Sequence, residues 1–246
     1  MDGRIAVVGG GYSGVRMASI LSEKGYDVVV FEGRDGGEIT VFNSLPELRE
    51  HYIDYVEEYF ELLKTVRIEK GVVRKVTREN LVLVSGCYTD RDSRDCSNYG
   101  RFEQVVVCTG CYDSNPISAN IYGMRPAGIF SLENAIRLIL KGYRIGREVL
   151  IFGDDAILEV FNSMLGRMKY STHVVSGEYA VVRGRERVEE VVVDGERFRC
   201  DTVVYFKKRE CFNPFNLKGV KAGNINAKTY DYKEVKKDVL KVSEDF

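Results

Sequence analysis

Arg4-Ile5-Ala6-Val7-Val8-Gly9-Gly10-Gly11-Tyr12-Ser13-Gly14 reads as an apolar strand that runs into the pattern GxGxxG. A lone GxGxxG is weak evidence of a ligand, but its surroundings here strengthen it. A helical pattern follows to about Lys24. Ala18 lies four residues after Gly14 and Gly25 seven after Ala18, both small where a helix presses on a sheet. A second apolar strand, Asp27 to Phe31, ends at Glu32, which is 32 − 9 = 23 residues after Gly9. That is close to the offset of about 20 at which a carboxylate reaches a ribose in a βαβ nucleotide site.

Each residue type in the loop has a physical reason. Gly9 permits the tight turn, Gly11 lets a diphosphate approach the backbone, and Gly14 lets the helix pack closely on the strand. The free N–H groups and the helix dipole at Tyr12 and Ser13 stabilise the anion. Glu32 accepts hydrogen bonds from a ribose diol, and its charge opposes a 2′-phosphate. The expectation is a dinucleotide diphosphate seated on Gly9 to Gly14.

Outward from this loop, the same plan recurs once. Val149 to Phe152 reads as a strand, Gly153 as a turn, and the residues to about Met168 as a helix, so the chain holds two βαβ modules. Between them Tyr52, Tyr55 and Tyr59 recur at helical spacing within Pro46 to Lys64, a stripe that suits core packing better than a ligand contact. Short strands are expected at Gly71 to Val76 and Leu81 to Val84. The polar stretch Tyr88 to Tyr99 reads as a loop, Gln104 to Cys108 as a buried strand, and Asp113 to Ala127, with Pro116 and Pro126, as a connector. After the second helix the pattern is β-rich (His173 to Val175, Tyr179 to Val182, Val188 to Val193, Thr202 to Phe206), with a hairpin signal at Asp194-Gly195. Cys211 to Ala222 reads as a second crossing between modules, and Tyr230 to Val242 as an amphipathic helix.

The chain has 246 residues, and 36 basic against 37 acidic side chains leave a net charge of −1. Such a balance gives no field that favours nucleic acid or an anionic membrane. No apolar run reaches the roughly 20 residues of a membrane span, and no signal peptide is expected before the first strand. The expected compartment is the cytoplasm. Gln104 is the only glutamine while 30% of residues are charged, a pairing that points toward a thermophile.

At this point the chain resembles the FAD-dependent pyridine nucleotide–disulfide oxidoreductase superfamily, in which an NAD(P) domain is inserted into an FAD domain. The likeness rests on the loop Gly9 to Gly14 with Glu32, on Gly36-Gly37, and on Cys108-Thr109-Gly110, similar to the family's Ala-Thr-Gly turn. It rests also on Arg125-Pro126-Ala127-Gly128-Ile129-Phe130 with Ala135 and Gly153, a stretch similar to flavin subunits of multi-subunit amine, amino-acid and glycerol-phosphate dehydrogenases. The resemblance implies an α/β fold with a Rossmann-like FAD domain at 1–112 and 207–246 and a reduced, inserted NAD(P)-binding-like domain at 113–206. It implies FAD held by Gly9, Gly11, Tyr12, Ser13, Gly14, Glu32, Gly36, Gly37, Thr109, Gly110, Gly223 and Asn224. Gly223-Asn224 takes the place of the family's Gly-Asp, which loses a charge but keeps an acceptor, and the helix after it would carry its N-terminus toward the flavin.

The second loop departs from the pattern. Its glycine positions read Gly153, Asp155 and Leu158, so a carboxylate stands where a diphosphate would approach, Asp154 adds to the repulsion, and Leu158 is bulky where a helix should pack closely. This argues against NAD(P)H at that loop. The module from Val149 to Phe206 is also short by a helix.

Six cysteines in a chain this long do not make a disulfide scaffold. Cys108 and Cys111 form a CxxC that overlaps the Thr109-Gly110 turn, either a redox pair or small packing residues, with packing favoured. Cys87 with Cys96 and Cys200 with Cys211 are candidate disulfides that sequence leaves open. His51 and His173 have no partners at motif spacing, and no metal site is expected. Three functions compete: a flavoprotein oxidoreductase or electron-transfer subunit with a dehydrogenase partner subunit or as a homo-oligomer, an NAD(P)H-dependent flavin reductase, and a non-catalytic FAD-binding protein.

Overall fold

A computed structural model describes residues 3–85 and 97–246, with the side chains of 97 and 98 left aside. In chain order β1 (Arg4–Val8), α1 (Tyr12–Glu23) and β2 (Asp27–Glu32) form the first βαβ unit. Then come α2 (Glu38–Asn43), α3 (Pro46–His51), α4 (Ile53–Leu63), β3 (Ile68–Lys70), β4 (Val72–Val76), β5 (Leu81–Ser85), β6 (Ser97–Arg101) and β7 (Gln104–Val107). They are followed by β8 (Cys111–Asp113), β9 (Ile121–Gly123), β10 (Ile129–Ser131), α5 (Leu132–Leu140), β11 (Glu148–Phe152), α6 (Ala156–Arg167) and β12 (Ser171–Val175). The chain ends with β13 (Ala180–Arg183), β14 (Glu190–Val193), β15 (Glu196–Arg199), β16 (Thr202–Tyr205), β17 (Arg209–Cys211), β18 (Val220–Lys221), α7 (Asn224–Ala227) and α8 (Tyr232–Ser243).

Two compact units result. One is built from the segments up to Asn43, Tyr52–Cys111 and Cys211–Phe246, the other from Ser44–His51 and Tyr112–Glu210.

The first unit centres on a parallel sheet in the order β18-β7-β1-β2-β3. Ile5 to Val8 and Val105 to Val107 are buried on both sides, which is why these strands read as continuous apolar runs rather than alternations. On one face α1 lays Met17, Ala18 and Leu21 against Ile5, Val7, Val28, Val30 and Val106, with Val239 of α8 and Cys108 in the same core. Each such aliphatic side chain contributes about 1.5–3 kcal/mol on full burial. The opposite face packs Ala6, Val8, Val29, Phe31 and Val107 against the antiparallel sheet β4-β5-β6.

The second unit repeats the parallel plan in the order β10-β16-β11-β12, with a meander β15-β14-β13-β9 beside it. Leu150, Phe152 and Val203 of the parallel sheet share a core with Val182, Val191 and Val193 of the meander. From β12 the chain passes straight into the meander, so α6 is the single α-helix between Val149 and Phe206.

Several expectations change. The helical span Pro46 to Lys64 breaks at Tyr52, whose backbone leaves the helical region at φ −108, ψ 20 and whose ring stacks on Phe42 at 4.7 Å; the two pieces belong to different units. The connector Asp113 to Ala127 contains β9, recruited because Ile121 is buried and pairs in parallel with Ala180. Tyr99 is not part of a loop tip but of β6, where its ring packs edge-on to Phe31 at 4.7 Å and stacks on Phe102. Cys200 and Cys211 are both free; Cys200 is buried in the apolar core of the second unit, which pushes its thiol up to about 12, and Cys211 is exposed. Cys87 and Cys96 lie outside the described residues.

Candidate functional site

The first glycine loop lies at the C-terminal ends of β1, β2 and β7. In the sheet, β2 and β3 follow β1 on one side while β7 and β18 lie on the other, so the loop sits where the strand order reverses, the crevice that α/β sheets use for ligands. The three glycines have different reasons. Gly9 has φ +108, and a Cβ there would lie 2.5 Å from the Cys108 carbonyl oxygen. A Cβ on Gly14 would lie 1.8 Å from the Gly9 oxygen, so packing of helix on loop requires glycine. At Gly11 neither reason applies. Its backbone is extended at φ −73, and a Cβ would meet only the Gly36 oxygen at 3.5 Å, an ordinary contact. The missing side chain at Gly11 therefore leaves a backbone-lined space bounded by the Gly36-Gly37 turn, in which Gly37 has φ +73. No side chain caps α1, so the helix presents its N-terminal N–H groups and positive dipole end at this loop.

Glu32 holds the loop by its carboxylate: Gly10 N–H donates to Oε2 and Arg34 N–H to Oε1, both at 2.5 Å. A carboxylate offers about four lone-pair positions, so two remain for a diol. Tyr59 closes the back of the loop. Its buried hydroxyl donates to the Gly10 carbonyl oxygen at 3.0 Å, and burial, helped by the Glu32 charge, pushes its pKa up to about 12, so it acts as a neutral donor. Sequence spacing placed Tyr59 on a core stripe; nothing in it pointed to Gly10, because that contact joins residues 49 positions apart.

Tyr12 turns its ring away from the loop into an aromatic cluster with Tyr55 and Tyr232, at centroid distances of 5.8 and 5.1 Å. Its hydroxyl donates to Glu58 Oε2 at 2.6 Å, and burial first, then this carboxylate, raise its pKa. Arg16 and Lys236 also bind Glu58. Burial alone would push the Glu58 carboxyl up, but the hydrogen bonds from Tyr12 and Lys236 and the charges of Arg16 and Lys236 outweigh it and hold the pKa below its ordinary value. Arg16, Glu58 and Lys236 were not singled out in the sequence. Their only trace is one charge on each of three helices, which no local pattern links.

Ser13 is buried, and its Oγ accepts from Asn224 N–H at 3.2 Å. Gly223, at φ +75, packs so closely that a Cβ would lie 2.2 Å from Ser13 Oγ. Gly223 N–H donates to Asp238 at 2.6 Å, and the Asn224 side chain accepts from Thr229 N–H at 3.0 Å. The Ser13 side chain and the Asn224 backbone N–H thus join α1 to the C-terminal segment, and α7, which begins at Asn224, is a single turn. Thr109 donates to the Phe212 carbonyl, and Phe212 N–H to the Gly110 carbonyl at 2.9 Å; Gly110 has φ +78 with no neighbour near its Cβ position. Cys108 and Cys111 are not joined in a disulfide. Cys108 is buried among Ile5, Val7 and Ala18, and burial with the Asp238 charge raises its pKa far above the thiolate range. Among the described residues no group of three or more His, Cys, Asp or Glu is placed to hold a metal, and no helix is long and apolar enough to cross a membrane.

The second loop lies in the other unit and is closed by its own residues. Asp155 is the N-cap of α6, its Oδ1 accepting from Ile157 N–H at 3.0 Å. Leu158 is buried, with Cδ1 2.7 Å from the Cβ position of Gly153. Part of the α6 N-terminus that an anion would use is satisfied from within.

Residues 4–79 match the family model of the pyridine nucleotide-disulphide oxidoreductases. A search of curated proteins by sequence gives no match. Among solved structures the chain is similar to L-proline dehydrogenase from P. horikoshii, with a TM-score of 0.60 and 18% identity over 85% of this chain and 42% of that one. Histamine dehydrogenase from Rhizobium sp. 4-9 gives 0.65 and 16% over 100% and 42%. The HOCl-induced flavoprotein disulfide reductase RclA from Escherichia coli gives 0.64 and 12% over 99% and 71%. The chain spans 42% of the length of each of the two dehydrogenases. Residues 4–79 therefore match a pyridine nucleotide-disulphide oxidoreductase model, and the chain as a whole shares the α/β fold of these solved dehydrogenases and this reductase.

Proposed function

We propose that this chain is an FAD-binding oxidoreductase module that works as a redox or electron-transfer subunit. The observation that carries the reading is Gly11. Neither its backbone angle nor its packing requires glycine, and a diphosphate supplies the missing reason. In this reading the uncapped N-terminus of α1 holds the diphosphate, and the free lone pairs of Glu32 take the adenosine ribose. Gly36-Gly37 and Thr109-Gly110 border the cofactor with bare backbone. Tyr59 and the Ser13–Asn224 link hold the loop in shape without touching the ligand. FAD, when bound, supplies hydride or electron transfer, and the chain supplies binding and orientation.

The buried, protonated Cys108 is assigned a packing role, since a thiolate is what dithiol chemistry needs. The Asp155 cap and Leu158 argue against NAD(P)H at the second loop, which favours a donor or acceptor supplied by another subunit over a self-contained reductase.

The test is the visible spectrum of the purified protein, with FAD added if needed, followed by NADH without oxygen. A flavin spectrum that persists with NADH supports the proposal. Bleaching by NADH moves the assignment to a flavin reductase, and failure to retain any flavin overturns the cofactor.

A further inference from the structure

Strands β8 and β17 form a two-stranded ribbon, and two backbone bonds fix its register. Phe212 N–H donates to the Gly110 carbonyl at 2.9 Å, and Ser114 N–H donates to the Lys208 carbonyl at 3.0 Å. Residue numbers rise along one strand as they fall along the other, so the pairing is antiparallel. The steps from 110 to 114 and from 212 to 208 are equal, which leaves no room for a bulge. Side chains agree with this register. The Tyr112 hydroxyl donates to Glu210 Oε2 at 3.0 Å, and Arg209 Nε lies 3.5 Å from Asp113 Oδ1. The same register sets Cys111 directly opposite Cys211. Gly110 with Phe212 and Ser114 with Lys208 are hydrogen-bonded pairs, so by alternation Cys111 with Cys211 is a non-hydrogen-bonded pair. Such a pair holds its Cα atoms about 4.5 Å apart with both side chains on one face, within the roughly 4.4–6.8 Å that a disulfide spans. Both cysteines belong to the first unit. Cys211 is exposed, Cys111 is half-buried, and no disulfide joins them in the structure.

We propose that Cys111 and Cys211 are a reversible redox dithiol that closes to a disulfide by exchange with small-molecule disulfides. A packing role suits the buried Cys108 and Cys200, not a pair that solvent reaches. The exposed Cys211 Sγ, as thiolate, attacks one sulfur of the small disulfide. A mixed disulfide forms at Cys211, the small molecule's own S–S bond breaks, and one small thiolate leaves. Cys111 Sγ, as thiolate, then attacks Cys211 Sγ. The Cys111–Cys211 bond forms, the mixed disulfide breaks, and the second small thiolate leaves. The two cysteine protons end on the two released thiols, so the protein loses two electrons and the small disulfide gains them. The new bond ties together the two places where the chain crosses between units, and it encloses Tyr112–Glu210 in one covalent loop. The inference rests on the register of two strands and does not depend on flavin.

The experiment treats the reduced full chain with oxidised glutathione, blocks remaining thiols with iodoacetamide, and maps the peptides by mass spectrometry. Cys111→Ser and Cys211→Ser are treated in the same way. The wild-type chain should yield a peptide pair joined between Cys111 and Cys211, lighter by two hydrogens, which dithiothreitol separates again. Cys111→Ser, which lacks the resolving thiol, should accumulate glutathione on Cys211, while wild type should not. Cys211→Ser should give no cross-link to Cys111. The wild-type map decides the matter even where a variant fails to fold. A wild-type chain whose Cys111 and Cys211 stay open to iodoacetamide overturns the proposal. So does one that retains glutathione on Cys211, or one that joins either residue to a different cysteine.

Discussion

Two glycine loops, each between a buried parallel strand and a helix of 12 residues, finish their helix N-termini in opposite ways. At α1 no side chain caps the helix, and the residue nearest the crevice, Gly11, has no side chain at all. At α6 the equivalent residue is Asp155, which caps the helix from within. An N-terminus must satisfy its orphan N–H groups with something. The first loop leaves that to a ligand or water, and the second does it with its own carboxylate. Shared topology therefore does not imply shared function; one residue in each loop decides whether an anion has anything left to bind.

Glycine substitutions in the first loop sharpen the contrast most. Gly14→Ala drives a methyl group into the Gly9 carbonyl, and the expected cost is about 3 kcal/mol or more of stability, read as a fall in the denaturant midpoint. Gly11→Ala meets only an ordinary contact, so its melting should barely move while FAD affinity falls by about 100-fold, near 2.7 kcal/mol. Equal flavin affinity in wild type and Gly11→Ala would falsify the placement of the diphosphate.

The second loop gives an intermediate effect. Asp155→Ala removes the cap of α6, and the expected loss is about 1 kcal/mol by thermal or chemical unfolding. Asp155→Gly should cost only a few tenths of a kcal/mol and should not restore tight NADH binding, because Leu158 still fills the space beside Gly153. Calorimetry that detects tight NADH binding to either the wild type or Asp155→Gly would break the comparison.

Most of the parallel framework was legible because it depends on local signals. Continuous apolar runs mark β1, β7 and β11, and glycine turns mark the entries to α1 and α6. The Asp194-Gly195 hairpin was equally plain, and joins β14 to β15. What escaped was set by long-range contacts. Tyr52 breaks a helical pattern because Phe42 offers a stacking face, and β9 forms inside a proline-flanked connector because β13 needs a neighbour. At the site, the glycines and Glu32 were visible through fixed spacing. The turn of the Asp155 carboxylate onto its own helix was not, since aspartate there reads the same whether it repels a ligand or caps. Tyr59 and the Arg16–Glu58–Lys236 group were illegible for a similar reason: each member lies on a different helix or loop from the group it holds.

That ionic group offers the smallest effect, and it tests whether the open loop is held in shape by side chains that do not touch the ligand. Glu58 carries the Tyr12 hydroxyl and two cations, with its pKa below the ordinary 4.5 in the fold. A depressed carboxyl contributes stability that is present above its unfolded pKa and is lost as pH falls through the folded value. Glu58→Gln should therefore lower the melting temperature modestly at neutral pH. The gap to wild type should shrink as pH drops below 4.5, where wild-type Glu58 also becomes neutral. Because the amide oxygen introduced by Glu58→Gln can still accept from Tyr12, the ring should stay clear of the loop, and FAD affinity should change far less than in Gly11→Ala. A melting gap that is constant across pH means that the charge of Glu58 is not what holds α1, α4 and α8 together. A large loss of FAD in this variant means that the cluster reaches the ligand after all.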